Sequence, residues 1–124
     1  MEKVCLAVPS NNPGGLEAGI GAHFGRCEVY TLVYIENGAV TSVKTLPAIP
    51  HSEGGCGAPV RYLAENGVNT MLAGGMGMRP LMGFHENGIE VFHTGESRNV
   101  KEGVDAFLQG KLPVFSRDYT CGGH

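Results

Sequence analysis

The chain has 124 residues, enough for one domain with its own core and too few for two independently cored ones. With 42% hydrophobic residues and a formal net charge of -3, it can build that core, but no run of Lys or Arg is dense enough to follow a phosphate backbone, so nucleic acid is not an expected partner. The longest apolar runs, Val4 to Pro9 and Tyr30 to Ile35, have strand length and fall far short of a bilayer span. Met1-Glu2-Lys3 leads into the first run without a signal-peptide segment, so a cytoplasmic protein is expected.

Lys3 to Pro9 reads as a first strand, apolar enough to be central, and Pro9 with Asn11-Asn12-Pro13-Gly14-Gly15 stops it. Ser10 to Arg26 carries no sustained period of either kind and reads as a long glycine-rich loop, the sort that in a compact domain is usually functional or disordered. Tyr30 to Glu36 and Ala39 to Leu46 are β-branched and aromatic runs separated by Asn37-Gly38, the strongest short signal for a hairpin with a type I′ turn. Pro47 to Gly57 is a second irregular segment. Pro59 suits the first turn of a helix reaching about Asn66, with Val60, Leu63 and Ala64 on one stripe and Gly67 closing it.

Val68 to Ala73 reads as a short strand running into Gly74-Gly75-Met76-Gly77-Met78. Pro80 again fits a helix start, continued by Leu81, Met82 and Phe84 to Asn87-Gly88. Ile89 to Phe92 is the next strand. Ser97 or Asn99 can cap a last helix through about Leu108, whose Val100, Val104, Phe107 and Leu108 share a face, with Gly110 ending it. Residues 1–110 are thus expected to form a single α/β domain with a mixed five-stranded sheet flanked by helices, followed by a flexible tail over 111–124.

The 20 glycines are more than twice the usual share of about 7%, and they concentrate around 14–25, 54–57 and 74–77. In open α/β sheets ligands bind beyond the carboxyl ends of parallel strands, which brings the segments after the first and fourth strands together. Glycine-rich backbone offers N–H groups there, and the helix near Pro80 turns its positive end to the same place, so an anion is the natural guest. Gly74-Gly75-Met76-Gly77 is neither a P-loop nor a dinucleotide fingerprint, and a plain tight turn explains it equally well.

Soft and borderline metal ligands fall in the same irregular segments: His23, Cys27, His51, Cys56, Met76, Met78, Cys121 and His124. Thiolate, imidazole and thioether suit iron-sulfur, copper or zinc, whereas hard ions would want more carboxylates. No pair has the tight spacing of a zinc or cluster motif, so any ligand set must be assembled from distant segments. Cys56, between glycines ahead of a helix, has the setting that lowers a thiol pKa. Cys5 alternates with Val4 and Leu6 in a core strand and reads as a structural thiol. Cys27 can equally be packing, and His85 and His93 read as surface residues. Arg26 and Arg79 lie beside the glycine segments as candidate anion-holding groups. Four cysteines in a well-cored cytosolic chain read as thiols rather than disulfides.

Catalytic constellations are missing. Asp105 and Asp118 are the only aspartates, Gly-x-Ser-x-Gly is absent, and neither Ser10 nor Ser52 has an evident His-Asp relay. The chain reads as a binding protein, not an enzyme.

Gly21-Ala22-His23-Phe24-Gly25-Arg26-Cys27 after the first strand, the hairpin, the His51 to Gly57 segment, Leu72-Ala73-Gly74-Gly75-Met76-Gly77 before a helix, and Gly88-Ile89 with Val91 resemble the dinitrogenase iron-molybdenum cofactor biosynthesis family. The likeness covers the chain up to about Leu108. It implies a ribonuclease H-like fold motif without nuclease carboxylates, and a carrier or scaffold role for an iron-sulfur or iron-molybdenum-type cluster or its precursor. His23 matches the family's histidine-containing loop, and Gly74 to Gly77 would form part of the same pocket. On this reading the cargo is bound transiently by a monomer or weak dimer, with cluster-assembly or ATPase proteins as possible partners. The alternative is a small protein-interaction or regulatory domain without metal cargo, for which exposed Met76 and Met78 would serve equally well.

Overall fold

The computed structural model describes residues 3–11, 14–20, 29–47, 57–74, 78–94 and 97–115, with only the backbone course at 57–59 and 78–80. In chain order the elements are β1 (Lys3–Ser10), β2 (Val29–Glu36), β3 (Ala39–Pro47), α1 (Gly57–Glu65), β4 (Thr70–Ala73), α2 (Met78–Glu86), β5 (Glu90–His93) and α3 (Val100–Leu108). The strands form one five-stranded sheet in the order β3-β2-β1-β4-β5. β2 runs antiparallel to β1 and β3, whereas β4 and β5 run parallel to β1 and to each other. The expected mixed sheet with flanking helices is therefore what the chain builds.

The hairpin turns on Asn37 and Gly38, at φ 55° and 80°. Both values lie in the left-handed region that a type I′ turn needs, and the twist of that turn matches the twist of the strands. The parallel strands need crossovers, and each comes as a helix of three turns or fewer closed by a glycine at positive φ, Gly67 after α1 and Gly88 after α2. Pro59 and Pro80 are the third residues of α1 and α2, within the first turn, where a missing N–H breaks no intrahelical bond.

Both faces of the sheet are covered, which explains why β1 is apolar without alternation. Cys5, Ala7, Tyr30, Leu32, Met71, Ala73 and Val91 face α1 and α2, packing on Val60, Leu63, Leu81 and Phe84. Leu6, Val8, Val33, Ile35 and Leu72 face the other way, onto Val100 and Val104 of α3 with Leu16, Ala18 and Ile20 beside them. Each Val, Leu, Ile, Met or Phe among them, taken fully out of water, contributes roughly 1.5–3 kcal/mol. The face of α3 differs from the expected one at its end: Leu108 is 37% exposed, and Gly103 is buried in its place. A Cβ at Gly103 would stand 3.2 Å from Leu72 Cδ1, so glycine lets α3 settle close to the sheet at this point.

Two segments read as irregular are held by specific bonds. Residues 14–20 run across the α3 face, where Ser10 bridges Ile20 and Gly19 bridges Asn99. Asn11 N–H donates to Gly19 O at 3.0 Å and closes this loop on itself. The stretch 111–115, assigned from sequence to a flexible tail, lies antiparallel beside β5. His93 N–H donates to Pro113 O at 2.9 Å, Phe115 N–H donates to Val91 O at 2.8 Å, and Phe115 is 1% exposed. The packed part of the chain thus extends past Gly110, and residues 116–124 lie outside the described residues.

Candidate functional site

The strand pairing fixes where each irregular segment leaves the sheet. Ser10, the last residue of β1, stands opposite Val29, the first of β2, and Val29 stands opposite Pro47, the last of β3. Ala73 and His93 end β4 and β5 side by side in the same direction. The chain therefore departs or returns at one end of the sheet through 11–28, 48–56, 74–77 and 94–99. Among the described residues, the opposite end carries the start of β1, the Asn37-Gly38 turn and the returns from α1 to β4 and from α2 to β5. Ten of the residues singled out in the sequence, His23, Arg26, Cys27, His51, Cys56, Gly74, Gly75, Met76, Gly77 and Arg79, fall in or directly after segments anchored at the first end.

Of these, Gly74 directly follows β4, and Arg79 is the second residue of α2. His23, Arg26, Cys27, His51, Cys56, Gly75, Met76 and Gly77 lie outside the described residues, as do Cys121 and His124. At Phe115, paired with Val91, the chain is heading toward the opposite end of the sheet, so the described course does not bring Cys121 and His124 to the others. Among the described residues, no group of three His, Cys, Asp or Glu side chains could hold a metal ion.

The three helix N-termini at this end differ in the charge of their first turns. In α3, Val100 N–H donates to Ala18 O at 3.0 Å and Lys101 N–H to Leu16 O at 2.8 Å. Asn99 accepts from Glu102 N–H through its side chain at 2.9 Å, and Glu102 Oε1 accepts from Arg98 N–H at 2.8 Å, completing a reciprocal cap with an acidic residue in the first turn. That end is consumed by the protein itself. Neither α1 nor α2 carries an acidic residue in its first turn, and α2 adds Arg79 there. Both helices start where the glycine-rich segments emerge, and a helix N-terminus favours a nearby anion by about 0.3–1 kcal/mol at an exposed site.

Residues that sequence reading passed over support the floor of this end. Ser10 and Thr31 are both fully buried, and their hydroxyls lie 2.8 Å apart. Gly15 N–H donates to Thr31 Oγ1 at 3.1 Å, tying the loop after β1 to β2. Gly14, at φ +84°, passes so close that a Cβ would come within 2.7 Å of Thr45 Cγ2. The only sequence signal for this arrangement is a pair of hydroxyl residues inside otherwise apolar strands. His93, read as a surface residue, is half-buried, its ring 5.8 Å from that of Phe115. His85 is exposed as expected.

Cys5 is the buried structural thiol its alternation suggested. Burial pushes its pKa up, partly offset by a hydrogen bond with the Tyr34 hydroxyl and by the charge of Lys44. A cavity of about 160 Å³ beside it, lined by Lys3, Tyr34 and Asn69 among others, opens at the end opposite the candidate site. Asn69 is fully engaged there, accepting from Cys5 N–H at 3.0 Å and donating to Lys3 O at 3.2 Å, so this hollow offers a ligand little unspent polarity.

The fold is that of a small α/β protein in which the strand ends flanking the glycine-, histidine- and cysteine-bearing segments lie at one end of a single mixed sheet. The chain belongs to the family described as dinitrogenase iron-molybdenum cofactor, whose sequence profile matches residues 2–110, and this is a family of non-catalytic proteins. An uncharacterized protein of Methanocaldococcus jannaschii is 28% identical over 117 residues, covering 91% of each chain. A candidate NifB protein from Thermotoga is 25% identical, with a TM-score of 0.75 over 93% of this chain and 98% of its own. The apo form of the orange protein from Desulfovibrio gigas shares the fold at 23% identity, with a TM-score of 0.78 over 90% of this chain and 92% of its own. Among the described residues no helix is long and apolar enough to cross a membrane.

Proposed function

We propose that the protein is a small cytoplasmic carrier or scaffold for an anionic metal cluster, of the iron-sulfur or iron-molybdenum type, held at the carboxyl end of β1 and β4. The observation that supports this reading is that the strand ends from which 11–28, 48–56 and 74–77 depart lie at one end of the sheet, where α1 and α2 begin without an acidic residue in the first turn. Family membership supports it independently, and the strand order with an antiparallel β2 is compatible with the ribonuclease H-like motif that the family resemblance implies.

In this reading backbone N–H groups of the glycine segments, with Arg26 and Arg79, meet the negative charge of the cluster. His23, with Cys27 or Cys56, takes open metal positions, and His51 belongs to the same set. Cys121 and His124 are secondary candidates from the tail. Few protein ligands and a solvent-facing site give exchangeable binding, as a carrier handing cargo to cluster-assembly or ATPase proteins requires.

The test is an anaerobic titration of the apo-protein with a reconstituted iron-sulfur cluster, read by visible absorbance and amide NMR. Saturable shifts at Gly74, at the starts of α1 and α2 and at Val29 are expected, with cluster retention reduced in a normally folded His23→Ala variant. Undiminished retention would remove His23 from the site. An absence of shifts at millimolar protein would shift the function to a protein-interaction domain.

A further inference from the structure

The end of the sheet opposite the ligand segments carries three exposed Asn-Gly pairs: Asn37-Gly38 at the hairpin tip, Asn66-Gly67 after α1 and Asn87-Gly88 after α2. We propose that Asn37 is a self-modification site, converting through a cyclic imide to aspartate and isoaspartate well ahead of Asn66 and Asn87.

The chemistry needs no partner but water. The backbone nitrogen of the glycine, losing its proton, attacks the side-chain amide carbon of the asparagine, and a new C–N bond closes a five-membered succinimide as ammonia leaves. Water then opens the ring at either carbonyl. Opening at the side-chain carbonyl gives aspartate, and opening at the backbone carbonyl gives isoaspartate, in which the main chain runs through the former side chain with one extra carbon. Glycine permits the reaction because no side chain shields its nitrogen.

All three pairs meet that requirement and all three asparagines are exposed, so neither composition nor accessibility separates them. Hydrogen bonding does. Asn66 Nδ2 donates to Tyr62 O and Asn87 Nδ2 to Gly83 O, each at 2.8 Å, which pins both amides against the last helical turn. The attacking nitrogens are also engaged: Gly67 N–H donates to Ala64 O and Gly88 N–H to His85 O, both at 3.1 Å. At these two positions two bonds must break before the atoms can approach, and the following Val68 and Ile89 N–H groups are bonded into the same caps. At the hairpin tip, among the described residues, neither the Asn37 amide nor the Gly38 N–H has a bond to lose. There the requirement is only distortion of a two-residue turn at the most exposed point of the strand pair.

The product alters that turn in two ways. It adds a carboxylate beside Glu36, and as isoaspartate it lengthens a connection whose two residues set the β2–β3 register.

The experiment is to age the native full-length chain in mildly alkaline buffer at physiological temperature and to quantify acid and isoacid at each site by peptide mapping with mass spectrometry. A chain unfolded in urea and an Asn37→Gln chain run in parallel. Conversion at Asn37 is expected about tenfold faster than at Asn66 or Asn87 in the native protein, the order of factor two ordinary hydrogen bonds provide. In urea the three rates should draw level, and the Asn37→Gln chain should lose the fast phase. Native Asn66 or Asn87 keeping pace with Asn37 would overturn the assignment. So would a native Asn37 that stays intact while the unfolded chain converts at all three sites.

Discussion

The direction of the hydrogen bond between Ser10 and Thr31 is set by their neighbours. Ser10 Oγ donates its single proton to Val8 O at 2.7 Å, so across the 2.8 Å separating the two hydroxyls it is Thr31 that donates and Ser10 that accepts. Thr31 Oγ1 then accepts from Gly15 N–H. One buried hydroxyl thus links β2, the end of β1 and the loop that leads toward the ligand segments.

Thr31→Val keeps the side-chain shape and removes both functions, leaving the Gly15 N–H without its acceptor. A loss of about 1–3 kcal/mol is expected in urea unfolding, with Thr31→Ser largely restoring it. Hydrogen exchange should show the Gly15 amide losing protection more than the amides of β1.

Gly14 and Gly15 separate conformational from steric cost. Gly15 stands at φ +99° with nothing within 4 Å of an added Cβ, whereas at Gly14 that atom would meet Thr45 and Val29. Gly15→Ala should therefore cost about 1–2 kcal/mol from backbone strain alone. Gly14→Ala adds overpacking and should reach roughly 2–4 kcal/mol, measured as the difference in denaturation midpoints.

Phe115→Ala tests whether the segment beside β5 belongs to the core. A buried phenylalanine replaced by alanine costs about 3–5 kcal/mol, while the same change in a loose tail would be nearly silent. Equilibrium unfolding decides between them, and amide exchange at His93 should rise in the variant as its bond to Pro113 loosens.

Alkaline pH should destabilise the fold through Cys5 and Tyr34. Burial raises both pKa values; at Tyr34 the charge of the Cys5 thiolate and the hydrogen bond between the two groups add to the rise, whereas at Cys5 that bond and the charge of Lys44 offset part of it. A raised pKa means that the native state holds the proton more tightly than the unfolded chain. The associated stability is complete below the unfolded thiol value, about pH 8.5, and declines as pH rises through the folded values. A Cys5→Ala, Tyr34→Phe double variant should show a flatter stability profile in that window, and native Cys5 should resist alkylation until the chain is unfolded.

Much of the fold was legible because its punctuation is local. Asn37-Gly38 specifies the hairpin turn through two positive φ angles, Asn99 caps α3 as its side chain suggests, and the unbroken apolar run of β1 reflects a strand covered on both faces. What escaped depends on long-range partners. Nothing near Leu16 or Ala18 signals that their carbonyls cap a helix eighty residues on. Nothing in Lys111 to Phe115 announces a neighbour in β5, because the segment is too short for a period and contains a proline. For the candidate site, sequence marked residue types and the strand pairing marked the end of the sheet they share. Thr31 carried only a faint mark, a hydroxyl inside an apolar strand, since a threonine in a strand is ordinary until its neighbours are known.

The strap formed by Pro113 to Phe115 also bears on how the molecule could polymerise. It occupies the outer side of β5, while β3, nine residues long and exposed, ends the sheet on the other side. In the language of polymer chemistry the sheet is a chain-stopped monomer with one functional group. Two copies joined along β3 would cover the longer edge of each sheet, and Lys44 within that strand discourages even this addition. Direct pairing of a second copy onto β5 is thus obstructed by three residues that look, in the sequence, like part of a tail.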